Sequence, residues 1–297
     1  MMLKASNNKH AYLIVAHANW WMLEKLICAL DYKDNDIFLH VDKKAKDFPL
    51  DYFQSLCKYS NIYIYQNHKV KWGNYSQVET ELFLYKTAVQ HGEYEFYHLL
   101  SGSDFPIKSQ KYIHDYFSKF SEENFIQIIP LENETREIQR RVRYYHFFVR
   151  KSKKWGFLFS LLRKLMLIPQ MLLRVHRNKG INFFYGANWS SLTHEFVEYL
   201  ISQENWIRKT FYRVNSADEL YRQTVIKKGD FKIHSELKGT TSSISRYIDW
   251  MDSSASPREL GIDDFEKINQ SNACFARKLG ADKELVEKII TEIYKKE

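Results

Sequence analysis

The chain has 297 residues, enough for one large α/β domain or two small ones. Its hydrophobic content of 44% and aromatic content of 16% provide for a real core and argue against disorder. A net charge of +8 favours anionic partners such as nucleic acids, anionic membranes or phosphorylated small molecules. Because the sequence contains neither a zinc-finger spacing nor an aromatic-basic nucleic-acid motif, nucleic acid is the least favoured of these.

The first hundred residues alternate between short apolar runs and stretches with helical spacing. The apolar runs predict strands buried on both faces, at 11–17, 36–42, 61–65 and 96–100. Helical spacing predicts helices at 20–30 and 76–91. This alternation predicts a parallel, Rossmann-like nucleotide-binding sheet flanked by helices and joined by right-handed crossovers.

The remaining elements are predicted from shorter patterns. Helices are expected at 111–119, at 194–203 with Thr193 as N-cap, at 216–227, at 263–269 and at 282–295. Strands are expected at 125–129, within 183–192 and at 244–250.

Residues 151–179 have a long apolar face, basic residues at both ends and a single proline. A basic amphipathic helix is typical of membrane-surface binding. Alternatively, the helix packs on the domain and its basic residues are simply solvated. Both interpretations remain open, with peripheral membrane contact slightly favoured.

Polar side chains lie at the tips of three predicted strands, at His17, at Asp42 with Lys43 and at 101–104. Ligands of open α/β sheets bind outside the carboxyl ends of the strands, so these tips predict a nucleotide site that includes Ser103 and Asp104. Pro106 is expected to stop the fourth strand.

Asp218 and Glu219 follow Ser216 at a predicted helix start. Acidic residues there are ordinary capping and helix-dipole chemistry. Glu219 in a pocket could instead act as a general base on a hydroxyl group.

A basic set near the C-terminus comprises Arg258, Arg277 and Lys278. These residues are either surface charge or a cationic clamp on a diphosphate that replaces a metal ion. The Asp34–Asp36 DxD precedes its strand, and the strand end at 101–104 carries one carboxylate, which is poor provision for Mg²⁺ or Mn²⁺. We therefore expect a metal-independent site without a cofactor.

Ordered motifs over nearly the whole chain resemble the core-2/I-branching β-1,6-N-acetylglucosaminyltransferase family, which also contains the peptide O-xylosyltransferases. They are AYLIVAH, IFLHVDKKA, VKWGNYS, YHLLSGSDFPIKS, NSADELYRQTVI, RYIDW and FARKL. The resemblance implies one GT-A-like domain over 1–297, with a nucleotide-sugar half at about 10–130 and an acceptor-binding and catalytic half at about 180–297. It further implies inverting, metal-independent transfer from a UDP-sugar to a glycan hydroxyl.

The resemblance also implies roles for individual residues. Glu219 would be the base that deprotonates the acceptor hydroxyl. Lys278 in FARKL would hold the UDP diphosphate together with Arg258. Arg258 matches the family's second basic residue less closely, because the loop between RYIDW and FARKL is shorter here than in the animal enzymes. The expected donor contacts are His17, Asp42, Trp72, Ser103, Asp104, Arg258 and Lys278. The expected acceptor contacts are Trp189, Asp218 and Trp250.

The animal members of this family have a membrane anchor and several disulfides. This chain has three scattered cysteines without a CxxC pair, a polar start and no run of 18 apolar residues, so we expect a bacterial, cytoplasmic relative. Its acceptor would be a surface-polysaccharide precursor, free or lipid-linked, and residues 151–179 could hold it at the inner membrane face. N-Acetylglucosamine is the expected donor sugar; xylose transfer or non-catalytic binding of a glycan or nucleotide sugar are the alternatives.

Overall fold

A computed structural model of the chain describes residues 8–147, 156–235, 244–250 and 256–294. The strands in these ranges are β1 (His10–Ala16), β2 (Asn35–Val41), β3 (Asn61–Tyr65), β4 (Phe96–Ser101), β5 (Asp104–Pro106), β6 (Ile129–Pro130), β7 (Phe184–Tyr185), β8 (Ser191–Thr193), β9 (Arg246–Ile248) and β10 (Phe275–Arg277). The α-helices are α1 (Trp20–Leu30), α2 (Leu50–Gln54), α3 (Ser76–His91), α4 (Gln110–Ser118), α5 (Arg136–Arg143), α6 (Gly156–Leu172), α7 (His194–Ser202), α8 (Glu204–Phe211), α9 (Tyr221–Lys228), α10 (Phe265–Gln270) and α11 (Lys283–Ile289).

The central sheet has five strands in the order β3-β2-β1-β4-β8. The first four are parallel, and β8 pairs antiparallel with β4 at the edge. The register places Ala16 opposite Val41 and Val15 opposite Ser101, so the three strands end at one edge of the sheet. The predicted α/β class, with a largely parallel sheet flanked by helices, is confirmed.

The core forms on both faces of this sheet because successive side chains of a strand point to opposite faces. On one face, Ile14 packs with residues of α1 and α11. On the other face, Leu13 packs with residues of α3, α7 and α9. Burial on both faces explains why the strands read as continuous apolar runs in the sequence.

A second, three-stranded sheet has the order β5-β10-β9. Pro106 was expected to stop the fourth strand, but β4 already ends at Ser101 and Pro106 is instead the last residue of β5, opposite Phe275. Proline is tolerated there because β5 is an edge strand. Residues 275–277 form the middle strand, which the sequence patterns did not predict.

Several predicted elements are shorter or interrupted in the structure. The strand expected at 125–129 is reduced to an isolated bridge at Phe125 and the two-residue β6. The helix expected from Ser216 begins instead as a 3₁₀ turn at Ala217–Glu219, and α9 starts only at Tyr221. Thr193 lies at the N-cap of α7, but its hydroxyl donates to Asn124 rather than capping the helix. Helix α8 was not predicted.

The predicted segment 151–179 contains α6, while residues 151–155 lie outside the described residues. Its described side chains include several exposed apolar residues: Leu161, Leu165, Met166, Ile168, Met171 and Leu172. In the part of the chain that the structure describes, no helix combines the length and hydropathy needed to cross a bilayer.

Three histidines form a buried cluster beneath the central sheet. The rings of His10 and His114 stack with centroids 3.9 Å apart, and His98 Nε2 lies 3.0 Å from His10 Nδ1. Burial lowers the pKa of His114 to about 3 and lowers the pKa values of His10 and His98. The folded protein therefore holds the cluster neutral at pH values where the unfolded chain binds protons.

We predict that the free energy of unfolding falls as pH drops below about 6.5, the ordinary histidine pKa. Below that pH the three cluster histidines gain protons in the unfolded state but not in the folded state. Each cluster histidine contributes up to about 1.4 kcal/mol per pH unit to this slope. His114→Gln should reduce the slope by one such contribution in urea unfolding measured between pH 6.5 and 4. His17→Gln, at an exposed position, should leave the slope unchanged. Parallel slopes for wild type and His114→Gln would rule out the cluster as the source.

Candidate active site

A cavity of about 600 Å³ lies at the edge where the parallel strands end. Its wall comes from the ends of β1, β2 and β4, the 185–189 loop, the 218–219 turn and the end of β9. The fold thus brings together seven of the predicted site residues, namely His17, Asp42, Trp72, Trp189, Asp218, Glu219 and Trp250. Trp72 and Trp250 are about half exposed, at 55% and 51%.

Ser103 and Asp104 lie outside the cavity lining. The Asp104 carboxylate is fully buried and accepts the Ser101 backbone N–H as well as the Arg277 guanidinium, whose Nη1 lies 3.2 Å from Oδ2. The Ser103 carbonyl accepts the Leu279 N–H at 2.8 Å. Asp104 therefore contacts the site only indirectly, by holding the Arg277 guanidinium in position.

Arg258 and Lys278 also lie outside the lining. The Arg258 guanidinium pairs with Asp264 at 2.7 Å and with Asp249. Lys278 Nζ pairs with the Glu259 carboxylate at 2.7 Å. Both cations are thus already occupied by carboxylates of the chain.

Arg277 is the member of the C-terminal basic set that lines the cavity. Its Nη1 donates to Ser101 Oγ at 2.6 Å, and its guanidinium carbon lies 4.0 Å from the ring centroid of Trp189. Arg277 is the last residue of β10 and faces the cavity, whereas Lys278 lies past the strand end and pairs with Glu259. The sequence shows the basic set, but only the three-dimensional structure shows that Arg277 is its member facing the cavity.

Lys44 brings a second cation to the cavity wall. Its Nζ lies 2.9 Å from Asp42 Oδ2 and donates to the Val70 carbonyl at 2.7 Å. The sequence indicated Asp42 as a donor contact but gave no role to this lysine, although both follow the same strand. The pair gives this side of the cavity a carboxylate and an ammonium group next to each other.

Glu219 lies in the 3₁₀ turn, and its carboxylate accepts from Arg141 of α5, with Nη1 2.7 Å from Oε2. The other carboxylate oxygen, Oε1, has no hydrogen-bond partner among the described residues. The Glu219 side chain is 30% exposed, so a substrate hydroxyl can reach it. Sequence reasoning missed Arg141, which lies 78 residues away in a charge-rich stretch without a distinguishing motif.

Asp218 differs from Glu219 in its environment. The residue is buried, one carboxylate oxygen accepts from Gln77 Nε2 at 3.2 Å, and Oδ1 has no partner among the described residues. Burial raises the pKa of Asp218 well above its usual range, and the charges of Glu219 and Glu81 add to that shift. The environment of Asp218 therefore favours the protonated form of its carboxyl group.

A buried network holds the turn and the 185–189 loop together. The Arg222 guanidinium pairs with Glu81 and donates to the Asn188 carbonyl at 2.5 Å and the Asp218 carbonyl at 3.3 Å. Asn188 Nδ2 donates to Glu81 at 2.9 Å. These contacts set the positions of Glu219 and Trp189 on one wall of the cavity.

Within the described residues, no three side chains of His, Cys, Asp or Glu come together in an arrangement that could hold a metal ion. Asp36 of the Asp34–Asp36 DxD lies at the end of β2 that is remote from the cavity. Its Oδ2 accepts a hydrogen bond from the Tyr94 hydroxyl at 2.7 Å. Metal independence itself stays a prediction.

Residues 10–270 match the family model of the Core-2/I-Branching enzymes, so the chain belongs to that family. It is 25% identical over 202 residues to the human protein described as "Probable beta-1,3-galactosyl-O-glycosyl-glycoprotein beta-1,6-N-acetylglucosaminyltransferase 7", a match that covers 65% of this chain and 43% of that one. It is 23% identical over 295 residues to human xylosyltransferase 1, covering 91% of this chain and 29% of the relative. The chain thus spans less than half the length of these relatives.

Among solved structures, that of mouse xyloside xylosyltransferase 1 aligns with a TM-score of 0.36 and 10% identity over 90% of this chain and 96% of that chain. This similarity is too low to carry an inference about function. The family resemblance predicted from the motifs is confirmed by the family model.

Proposed function

We propose that this protein is an inverting glycosyltransferase that moves a sugar, most simply N-acetylglucosamine, from a UDP-sugar to a hydroxyl of a glycan acceptor. The observation that carries the proposal is that Glu219 and Arg277 line one cavity together with three indole rings. A carboxylate can take a proton, a guanidinium can bind a phosphate, and indoles can stack on sugar or base faces.

The proposed reaction is a single in-line displacement. Glu219 Oε1 takes the proton of the acceptor hydroxyl, whose oxygen attacks the anomeric carbon while the bond to UDP breaks. The departing UDP carries away the electron pair of that bond, and attack from the opposite side inverts the anomeric centre. Arg141 holds Oε2 of Glu219 and thereby fixes the direction in which Oε1 points.

For the leaving group, we propose that Arg277 binds the UDP diphosphate, with Lys44 as a second cation on the wall. Fixed cationic charge stabilises the negative charge that develops on a leaving phosphate. This assignment supports metal independence, because the guanidinium supplies charge where a metal ion would otherwise be required. Asp42 and Trp72 are the proposed uridine contacts, and Trp189, Asp218 and Trp250 are proposed to hold the acceptor.

The names of the relatives suggest two donor sugars for this chain, N-acetylglucosamine and xylose. One relative is named for N-acetylglucosamine transfer and the other for xylose transfer. We favour N-acetylglucosamine, with a surface-polysaccharide precursor as acceptor. A thermal-stability screen of UDP-N-acetylglucosamine against UDP-xylose would separate the two donors.

Glu219→Gln should lower kcat by about 100-fold to 10,000-fold, the usual contribution of a general base, while leaving the Kd of UDP within about twofold of wild type. Transfer or slow hydrolysis of UDP-sugars is measured with and without EDTA. Exposed Glu266→Gln is the matched control and should retain wild-type turnover. Wild-type turnover by Glu219→Gln would refute the base assignment, and loss of wild-type activity in EDTA would refute metal independence. UDP-sugar binding without any turnover would favour the non-catalytic alternative.

Arg277→Gln should weaken UDP binding about 10-fold to 150-fold, because a hydrogen bond to a charged group contributes about 1.5–3 kcal/mol. Lys278→Gln is the matched control, since it removes the same charge one residue away and outside the cavity. Isothermal titration of UDP measures both variants. A larger loss in Lys278→Gln than in Arg277→Gln would restore the assignment that the FARKL motif implied.

We further propose that α6 contacts an anionic membrane, which would bring the enzyme to a lipid-linked acceptor. Leu172 and Leu173 are each 77% exposed, and Arg174, Arg177 and Lys179 follow directly. Apolar side chains that enter a lipid interface beside basic residues match the chemistry of anionic membranes.

Replacing both Leu172 and Leu173 by serine should reduce co-sedimentation with phosphatidylglycerol-containing vesicles by at least about tenfold, since each leucine contributes about 1.5–3 kcal/mol on burial. Neutral phosphatidylcholine vesicles should bind the wild type more weakly, because the basic residues gain nothing there. Equal co-sedimentation of the variant and the wild type would exclude α6 as the contact.

A further inference from the structure

A second cavity, of about 580 Å³, lies on the other side of the small β6–β7 sheet. Ile129 and Tyr185 pair across this sheet and line the catalytic cavity, whereas the adjacent pair, Pro130 and Phe184, lines the second. The two cavities therefore share one thin wall.

Cationic side chains dominate the polar lining of this second cavity. Arg143, Arg177 and Lys179 contribute three positive charges and His176 a titratable ring, while Glu132 is the one acidic residue in the described lining. Leu131, Val142 and Phe183 are buried and form an apolar floor.

The backbone brings these cations together. The Arg177 N–H donates to the Arg143 carbonyl at 3.3 Å, and Asn178 Nδ2 donates to the Val142 carbonyl at 3.1 Å. The Arg177 guanidinium donates to the carbonyls of Thr210 at 2.8 Å and Tyr212 at 3.0 Å. The segment that carries the cations is thus fixed against α5 and the end of α8.

Among the described residues, none of these three cations forms an ion pair with a carboxylate. The nearest side-chain acceptor of Arg143 is Gln139 Oε1 at 3.5 Å, and Arg177 donates to carbonyls only. Positively charged side chains that line one cavity without carboxylate partners favour the entry of an anion.

Helix α5 connects this cavity to the proposed chemistry. Its residue Arg141 holds Glu219 in the catalytic cavity, and Arg143, two residues or about 3 Å further along the helix axis, lines the second. On the other side of the cations along the chain lies the exposed apolar end of α6 at Leu172. From the end of α6 at Leu172, through the second cavity, to the catalytic cavity, the features of this face of the molecule are therefore apolar, then cationic, then catalytic.

We propose that the second cavity binds a phosphate group carried by the acceptor, outside the sugar that receives the new bond. The inference rests on the proposed function and adds a substrate class to it, an acceptor that is a phosphate ester. A lipid-linked glycan presents a hydrocarbon tail, a phosphate and a sugar in the same order as the apolar, cationic and catalytic features of this face.

The test measures phosphate binding while the catalytic cavity is filled with saturating UDP. Monobutyl phosphate and inorganic phosphate are titrated by calorimetry into wild type, Arg143→Gln/Lys179→Gln and the control Lys33→Gln/Lys46→Gln. Both variants remove two positive charges from exposed side chains, so their net charges are matched. Arg177 is left in place because its guanidinium holds the loop.

We expect monobutyl phosphate to bind at least about tenfold more weakly to the Arg143/Lys179 variant than to the control. Equal binding to the two variants would overturn the site. Tighter binding of monobutyl phosphate than of inorganic phosphate supports an ester on the acceptor, whereas equal or tighter binding of inorganic phosphate would overturn the acceptor assignment. Failure of UDP to bind in the first place would count against the proposed glycosyltransferase function, so the two failures are distinguishable.

Discussion

The buried ion pair between Glu81 of α3 and Arg222 of α9 is the contact on which the candidate active site depends. Both side chains are almost fully buried, and Tyr221 and Asn188 satisfy further polar atoms of the pair. Removing one partner of such a pair leaves an uncompensated buried charge at a cost of about 3–5 kcal/mol. The pair therefore does more than join two helices, because its hydrogen bonds also hold the backbone at Asn188 and Asp218.

A second buried arginine attaches the three-stranded sheet to the central one. Arg246 of β9 donates to the Ser190 carbonyl at 2.9 Å and the Leu99 carbonyl at 3.4 Å, and burial lowers its pKa to about 10. Because β10 lies between β5 and β9, this anchoring places Arg277 at the end of the parallel strands. There the Asp104 carboxylate and Trp189 hold its guanidinium in position. The cation proposed for the diphosphate and the base proposed for the acceptor thus come from separate parts of the chain that meet across one cavity.

The packing beneath the cavity gives the adjacent carboxylates of Asp218 and Glu219 different surroundings. Asp218 is enclosed by the Glu81–Arg222 network and Gln77, whereas Glu219 faces the cavity and Arg141. Burial raises the pKa of the Asp218 carboxyl and so favours its neutral form. One turn therefore presents a buried and a partly exposed carboxylate side by side, and the shared wall with the second cavity places positive charge close by.

The sequence by itself determined the parallel sheet and the edge at which the site lies, because continuous apolar runs and strand-tip polar residues are local patterns. His17 and Asp42 could be placed for that reason, and family motifs added Glu219. Only the tertiary structure decided that Arg277 rather than Lys278 lines the cavity, because the pairing of β10 with β5 and β9 brings the strand end at Arg277 to the cavity wall. The same holds for Arg141, whose partner is distant in sequence, and for the break between the 3₁₀ turn and α9. These features depend on strand pairing and on ion pairs between residues that are distant in sequence. Local sequence patterns do not predict such contacts.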